Sequence, residues 1–364
     1  GMGMTEKQGG SDVRANTTQA TPLAADGEYE LTGHKWFFSA PMSDAFLVLA
    51  QAPAGLSCFL LPRWRPDGSR NALRLLRLKD KLGDWSNSSS EVEFEGAWAR
   101  RIGGEGRGIA TILEMVMFTR LDCMLGSAGL MRMALAQAAH HARHRSAFGK
   151  RLIAQPLMRN VLADLALESE AATTFALRVA GAVDRAATDP REAAFARIAT
   201  AIGKYWICKR APGFANEAQE CLGGAGYVEE SGLPRLYRQA PLNSIWEGSG
   251  NIQCLDVLRA LAKEPDTGEA LLAELLAGSG IDADFDAAFA DAQVRFAQGV
   301  DEAGARAFVE RLALLLQAAV LLRAGNPLAA AYCRSRLGDG RGATYGTLAS
   351  DIDGDAAIAR IFPD

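Results

Sequence analysis

The feature that most constrains this chain is an abrupt change of texture at Gly103-Gly104-Glu105-Gly106-Arg107-Gly108. Before it, apolar residues come in short runs or in strict alternation, punctuated by Pro and Gly. Glu91-Val92-Glu93-Phe94-Glu95 alternates as a strand with one wet face should, and 45–50 and 57–61 suit buried strands. Residues 28–39 read as a strand, a Thr32-Gly33 turn and a second strand. After the change, 109 to about 145 is rich in Ala, Leu and Met and free of proline, a helical composition. Helical character continues over 157 to about 187, 192–222 and 252–262, with Asp189-Pro190 as a stop-and-restart signal. The predicted fold is therefore α+β. A small β-barrel or sandwich domain occupies 1–105, and an antiparallel helical bundle follows over 106–263. A third region, 264–364, opens on Glu264-Pro265-Asp266-Thr267-Gly268 and holds further helices near 268–277, 285–298 and 302–324.

Charge narrows the function classes. The net charge of −4 gives the whole chain no electrostatic reason to bind nucleic acid or an anionic membrane. Its distribution is uneven. Residues 264–364 hold 8 arginines, no lysine and 16 acids, whereas 1–263 hold 31 basic and 27 acidic residues. The six cysteines are widely spaced with no C-x-x-C pattern, which favours free thiols of a reducing cytosol over disulfides or zinc. The longest apolar stretch, 312–322, is interrupted by Gln317 and is too short to span a bilayer. No basic segment leads into an apolar run at the start, so no secretory signal is read there. A cytoplasmic protein without a membrane partner is expected.

Four separated segments carry candidate chemistry. Ser244-Ile245-Trp246-Glu247-Gly248-Ser249-Gly250-Asn251 places one acid after an aromatic residue and before glycines. Desolvation by such neighbours suits a carboxylate to removing the weakly acidic proton beside a thioester. The plainer alternative is a solvated acid ahead of a helix capped by Ser249 or Asn251. Leu222-Gly223-Gly224-Ala225-Gly226-Tyr227 can bring backbone N–H groups to a pyrophosphate, or simply end a helix. Arg145-Ser146-Ala147-Phe148-Gly149 can clamp a phosphate and stack a base, or be a cationic helix end with a glycine stop. Met2-Gly3-Met4-Thr5-Glu6-Lys7-Gln8-Gly9-Gly10-Ser11-Asp12 offers hydroxyls on a Gly-rich loop, or is a polar turn. His140 and His144 stand at i, i+4 without an acidic or cysteine companion, so no metal site is expected.

Taken together and in this order, the four segments resemble the acyl-CoA dehydrogenase family of flavoproteins, over residue 2 to about 263. The wording of the first and last segments and the helical tail are most similar to its AidB-like branch, known from the adaptive response to DNA alkylation. The resemblance implies a middle β-domain, a C-terminal four-helix bundle, FAD as cofactor and assembly as a homotetramer. The family's N-terminal helical domain has no counterpart in these residues, and a half-open site is the expectation that follows. Position by position, the resemblance implies that Met4, Thr5, Gly10 and Ser11 contact the flavin, with Phe37 and Ser39 against its ring. Arg145 and Phe148 would meet the adenine nucleotide portion, usually of a neighbouring subunit. Gly223 and Gly224 would form the pyrophosphate loop, and Ser249 and Asn251 would lie just past the base. Glu247 is the implied catalytic base and Arg120 an arginine near the substrate. The implied reaction removes the α-proton of an acyl-CoA to Glu247 while the β-hydrogen leaves as hydride to flavin, giving a trans-2-enoyl-CoA. An electron-transfer flavoprotein is the implied electron acceptor.

Three positions depart from the family pattern: Glu220 in place of Gln, Gln155 one residue early, and Phe37 in place of Trp. The branch also implies an alternative, a flavin-containing protein that binds double-stranded DNA, with dehydrogenase activity weak or vestigial. Arg295, Arg306, Arg311, Arg323, Arg334, Arg336 and Arg341 would then face the phosphate backbone.

Overall fold

The structure, a computed structural model, describes residues 1–338 and 342–362. Two compact units are present, Gly1–Phe118 and Thr119–Asp364.

Seven strands make the main sheet of the first unit: β1 (Met2–Gly3), β2 (Gln19–Pro22), β3 (Glu28–Ser39), β4 (Ala45–Ala52), β5 (Gly55–Pro62), β6 (Leu73–Leu78) and β7 (Ser89–Ile102). The pairings β3–β2, β2–β4, β4–β5, β5–β7 and β7–β3 return to their starting strand, so the sheet closes as a small barrel. Closure removes free edges and leaves alternate side chains to fill the interior. Leu31, Phe38, Phe46, Val48, Phe59, Val92 and Phe94 do so. The alternation of 91–95 is the sequence trace of that filling.

One local expectation is corrected. Thr32-Gly33 is not a turn, because β3 runs unbroken from Glu28 to Ser39. Gly33 has φ +147°, and a Cβ there would stand 2.7 Å from the Thr18 hydroxyl oxygen. Its glycine answers a close approach from a neighbouring segment rather than a reversal of the chain. Of two register slips in the β3–β7 pair, at Leu31/Thr32 and Lys35/Phe38, the first lies opposite Gly96 at φ +78°, a bulge that bends the long pair.

Helix α1 (Gly108–His144) carries the chain into the second unit, followed by α2 (Pro156–Arg185), α3 (Pro190–Cys221), α4 (Leu233–Gln239) and α5 (Gly250–Lys263). Asp189 caps α3 as its sequence signals: its carboxylate accepts from the Arg191 N–H at 2.9 Å, with Pro190 as the first helical residue. Beyond them lie α6 (Pro265–Leu276), α7 (Ala283–Ala297), α8 (Ala305–Arg323), α9 (Ala329–Arg336) and α10 (Gly354–Ala359). The last two are short and were not anticipated, since so few residues display no period.

The tail helices are not appended to a finished bundle. One apolar core runs from Leu121 through Phe175, Ile202 and Phe214 to Phe285, Leu315, Tyr332 and Ile361. The sharing is polar as well. Arg336 of α9 pairs with Asp164 and Glu168 of α2, and Glu168 also receives Arg210 of α3 at 3.2 Å. Asn160 and Leu348 exchange two hydrogen bonds of 3.0 Å. All six cysteines are buried and free. Among the described residues, no helix is long and apolar enough to cross a membrane.

Candidate active site

Glu247 lies in a tight segment between a short 3₁₀ turn, Leu242–Ser244, and α5. Its backbone is left-handed, φ +57°, and Gly248 follows at φ +94°. A non-glycine residue in this region costs free energy and persists only where surroundings impose it. Here they do. The Glu247 carbonyl accepts from Arg120 Nε and from Gln253 Nε2, both at 3.1 Å. Lys204 Nζ donates to the carbonyls of Trp246 and Gly248, each at 2.5 Å, and Gln253 Nε2 also reaches Gly248 O at 3.0 Å. The half-buried Glu247 side chain is held separately: Thr119 Oγ1 donates to its Oε2 at 2.8 Å.

A second layer sets those donors. Arg120 Nη1 pairs with Asp256 at 3.0 Å, and Asp256 is shared with Arg197 and Arg259. Burial pushes the Asp256 carboxyl up, but Arg197, Arg120 and Arg259 outweigh it and hold it below its ordinary value. Burial lowers the pKa of Lys204, against weaker opposing effects of its neighbours. Trp246 Nε1 donates to Asn243 Oδ1 at 3.0 Å, and Asn243 in turn donates to Ser127 at 3.0 Å, which fixes the indole beside the acid.

The plain alternative for this segment, a solvated acid ahead of a capped helix, does not describe what is found. Ser249 occupies the N-cap position of α5 but makes no capping hydrogen bond with its side chain. Asn251 turns its Oδ1 to Arg306 Nε at 2.8 Å. Arg120, expected beside a substrate, commits two of its donors to the Glu247 loop and Asp256.

Elsewhere in this unit, Arg145 follows the end of α1 with its N–H on His141 O at 2.8 Å, whereas Phe148 lies in a hairpin beyond it. Residues 146–151 form a hairpin of two short strands, Ser146–Ala147 and Lys150–Arg151, turning on Phe148 (φ +52°) and Gly149 (φ +76°). Phe148 is 97% exposed. A bulky aromatic in a left-handed turn, fully in solvent, is costly unless it meets a ligand or another chain. Gln155 donates to Ala147 O at 3.0 Å and so braces the hairpin. Gly223 (φ +60°) and Gly224 have open space where a Cβ would be, so a ligand can reach their backbone. Gly226 differs: a Cβ there would lie 2.2 Å from Gln219 O, a requirement of the fold. Glu220 is exposed.

In the first unit, Thr5 and Gly10 are in contact, since a Cβ on Gly10 would stand 2.3 Å from Thr5 Oγ1. The Thr5 carbonyl accepts from the Trp36 N–H at 2.8 Å, which sets this loop beside Phe37 on β3. Phe37 is half exposed, with the Lys79 ammonium 4.6 Å from its ring centre. Met4 is partly buried against Leu49, Leu56 and Cys58; Ser11 is exposed, and Ser39 ends β3 opposite Ser89. Glu6, between Thr5 and the glycines, is fully buried and pairs with the equally buried Lys35 at 2.8 Å. The Glu6 carboxylate also accepts from the backbone and hydroxyl of both Thr17 and Thr18. Burial lowers the Lys35 ammonium to about 8.

Sequence reasoning missed Thr119, Lys204, Gln253 and Asp256. A signal existed for two of them: Lys204 and Asp256 are lone charges inside apolar helical runs, where a charge survives only if partnered. Of the arginines read as a phosphate-facing set, Arg341 lies outside the described residues. Arg295 and Arg311 pair with Asp291, Arg323 with Glu274, Arg334 with Asp351, and Arg336 with Asp164 and Glu168. Arg306 is bonded to Asn251.

Comparison with known proteins gives the family. The family pattern described as acyl-CoA dehydrogenase, middle domain, matches residues 1–97, and that described as acyl-CoA dehydrogenase, C-terminal domain, matches 106–262. AidB of Escherichia coli (strain K12) is 52% identical over 98% of this chain and 65% of its own length. The crystal structure of ACDH-11 of Caenorhabditis elegans in complex with C11-CoA superposes with a TM-score of 0.83 at 29% identity, over 93% of this chain and 65% of that one. An acyl-CoA dehydrogenase of Bacillus anthracis complexed with FAD has a TM-score of 0.77 at 19% identity, over 92% of this chain and 64% of that one, a likeness of fold alone. The chain thus spans about two thirds of the length of these relatives. With both family patterns matched in order, the chain belongs to the acyl-CoA dehydrogenase family.

Proposed function

We propose that this protein is an FAD-dependent oxidoreductase that introduces an α,β double bond into an acyl-CoA thioester, with Glu247 as catalytic base. The observation that carries the reading is the conformation of Glu247: a left-handed backbone held by Arg120 and Gln253, and a carboxylate held by Thr119. A merely solvated acid needs none of these. Trp246, the residue before Glu247, is fixed through Asn243. Glu247 receives the α-proton as the C–H bond breaks, and its fixed position sets the direction of that transfer.

FAD, when bound, supplies the acceptor for the β-hydrogen as hydride. The residues fit such a group in several places. The open backbone at Gly223 and Gly224 suits a pyrophosphate, and the solvent-borne Phe148 beside Arg145 suits an adenine portion reached from another subunit. The Thr5–Gly10 contact and exposed Phe37 suit a flavin ring, with Met4, Ser11 and Ser39 around them. Ser249 and Asn251 close the set next to the base. An acyl-CoA substrate, a homotetramer and an electron-transfer flavoprotein as acceptor complete this reading. The domain division proposed with it is 1–105, 106–263 and 264–364. The duplex-DNA alternative gains nothing from the tail arginines, five of which are ion-paired with carboxylates.

The test is anaerobic mixing of the flavin-loaded protein with a series of acyl-CoAs. Glu247→Gln keeps its flavin colour and fails to bleach; a variant that bleaches as fast as the parent refutes Glu247 as base.

A further inference from the structure

We infer that Lys204 is a positioning residue for the base: from the middle of α3 its buried ammonium holds the carbonyls on either side of Glu247 and thereby fixes the direction in which the carboxylate projects. The inference rests on the dehydrogenase reading of Glu247 and adds a residue to it.

Three successive carbonyls, of Trp246, Glu247 and Gly248, are met by donors on other helices: Lys204 Nζ on the first and third, Arg120 Nε on the second, Gln253 Nε2 on the second and third. The two residues that carry the second and third of these carbonyls have positive φ, +57° at Glu247 and +94° at Gly248. Left unpaired, partly buried carbonyls carry a desolvation cost, and the peptides would rotate to recover partners. Rotation about residue 247 swings the Cα–Cβ bond, and with it the carboxylate.

Lys204 is suited to this in a way a neutral residue is not. It is 1% exposed, and among the described residues no carboxylate lies within ion-pairing distance of it. Its charge is therefore balanced by carbonyl dipoles, and an ammonium with three donors can serve two carbonyls at 2.5 Å at once. Gly248 tightens the arrangement: a Cβ there would stand 2.6 Å from Gln253 Nε2, so only glycine admits the donor that links the second and third carbonyls.

The experiment compares Lys204→Met with the parent as flavin-loaded protein. In Lys204→Met, hydrogen exchange of the amides in 244–251 is expected to accelerate, while flavin content and affinity for a non-reactive acyl-CoA thioether stay at parental values. Flavin reduction by a reactive acyl-CoA falls by about 100-fold, the scale of a ~1 Å misplacement. Where loss of the cation unfolds the protein, Gln253→Met is the second variant: it removes donors from the same carbonyls without changing charge, and the same local exchange must accelerate. Unchanged exchange over 244–251 together with parental reduction in the folded variants overturns the inference. The two failures are distinguishable. If Glu247→Gln bleaches like the parent, the base assignment fails, and the exchange data still report whether Lys204 holds the segment. If Glu247→Gln is inert but Lys204→Met is parental in both readouts, only the positioning role fails.

Discussion

The hydroxyl of Thr119 donates to Oε2 of Glu247 across 2.8 Å, joining α1 to a segment 128 positions further along the chain. No other side-chain donor to that carboxylate is found among the described residues, so the carboxylate itself is held by a single bond. Thr119→Val keeps the shape and removes the donor. The expected result is a folded, flavin-binding protein whose reduction by acyl-CoA slows roughly 10-fold or more, as loss of a hydrogen bond to a charged group implies. Thr119→Ser retains most of the parental rate. Rapid-mixing absorbance checks both, and a Val variant as fast as the Ser variant would show that the bond does not orient the base.

The buried Glu6–Lys35 pair makes the barrel sensitive to acid. Hydrogen bonds from Lys35, Thr17 and Thr18 outweigh desolvation and hold the Glu6 carboxyl well below its usual 4.5. A carboxyl depressed in the folded state contributes stability that is fully present above its unfolded value and lost as pH falls toward the folded one. The urea midpoint of the first unit is therefore expected to drop as pH is lowered below about 4.5. Glu6→Gln flattens that dependence and lowers stability at pH 7 by about 3 kcal/mol, because Lys35 is left buried without a counter-charge. Adding Lys35→Met to Glu6→Gln should recover much of that loss. Denaturation curves followed across pH for the three proteins decide it.

Phe148 is a bulky, exposed residue in a left-handed turn. In the left-handed turn position Asn is far less strained than Phe, so Phe148→Asn is expected to raise the thermal midpoint, with a gain of about 1 kcal/mol. If the exposed ring meets the cofactor from a neighbouring subunit, the same variant binds FAD more weakly. Calorimetry and flavin titration test the pair of effects. A variant that is more stable and binds FAD as before would remove Phe148 from the cofactor site.

Arg336 ties the tail to the bundle. Its guanidinium lies against Asp164 and Glu168, and Glu168 sits below its ordinary value because Arg210 and Arg336 outweigh its desolvation. Arg336→Met leaves buried Glu168 to Arg210 and buried Asp164 without a cation among the described residues, at a cost of about 3–5 kcal/mol. Since tail and bundle share one core, α2 and α8 are expected to lose exchange protection together, in one transition. Loss of protection in the tail alone would mean that residues 264–364 fold as a separate body.

Local pattern sufficed for the longer elements. Period-2 alternation at 91–95, helical composition after Gly108 and the Asp189-Pro190 cap are all short-range, because the backbone geometry they encode is settled within a few residues. Where local rules failed, a distant contact had overruled them. Gly33 reads as a turn until Thr18 is seen against it, and Phe148-Gly149 reads as a helix end because a bulky residue rarely adopts positive φ. The partners that make Glu247 a positioned acid come from α1, α3 and α5: Thr119, Arg120, Lys204, Gln253 and, behind them, Asp256. No spacing announces them, since they are neighbours only through the packing of helices far apart in sequence. By itself the sequence determined which backbone each segment prefers and which residue types stand at the motifs. Tertiary structure alone decided which buried charge faces which carbonyl, because a hydrogen bond is chosen by distance in space and carries no signature along the chain.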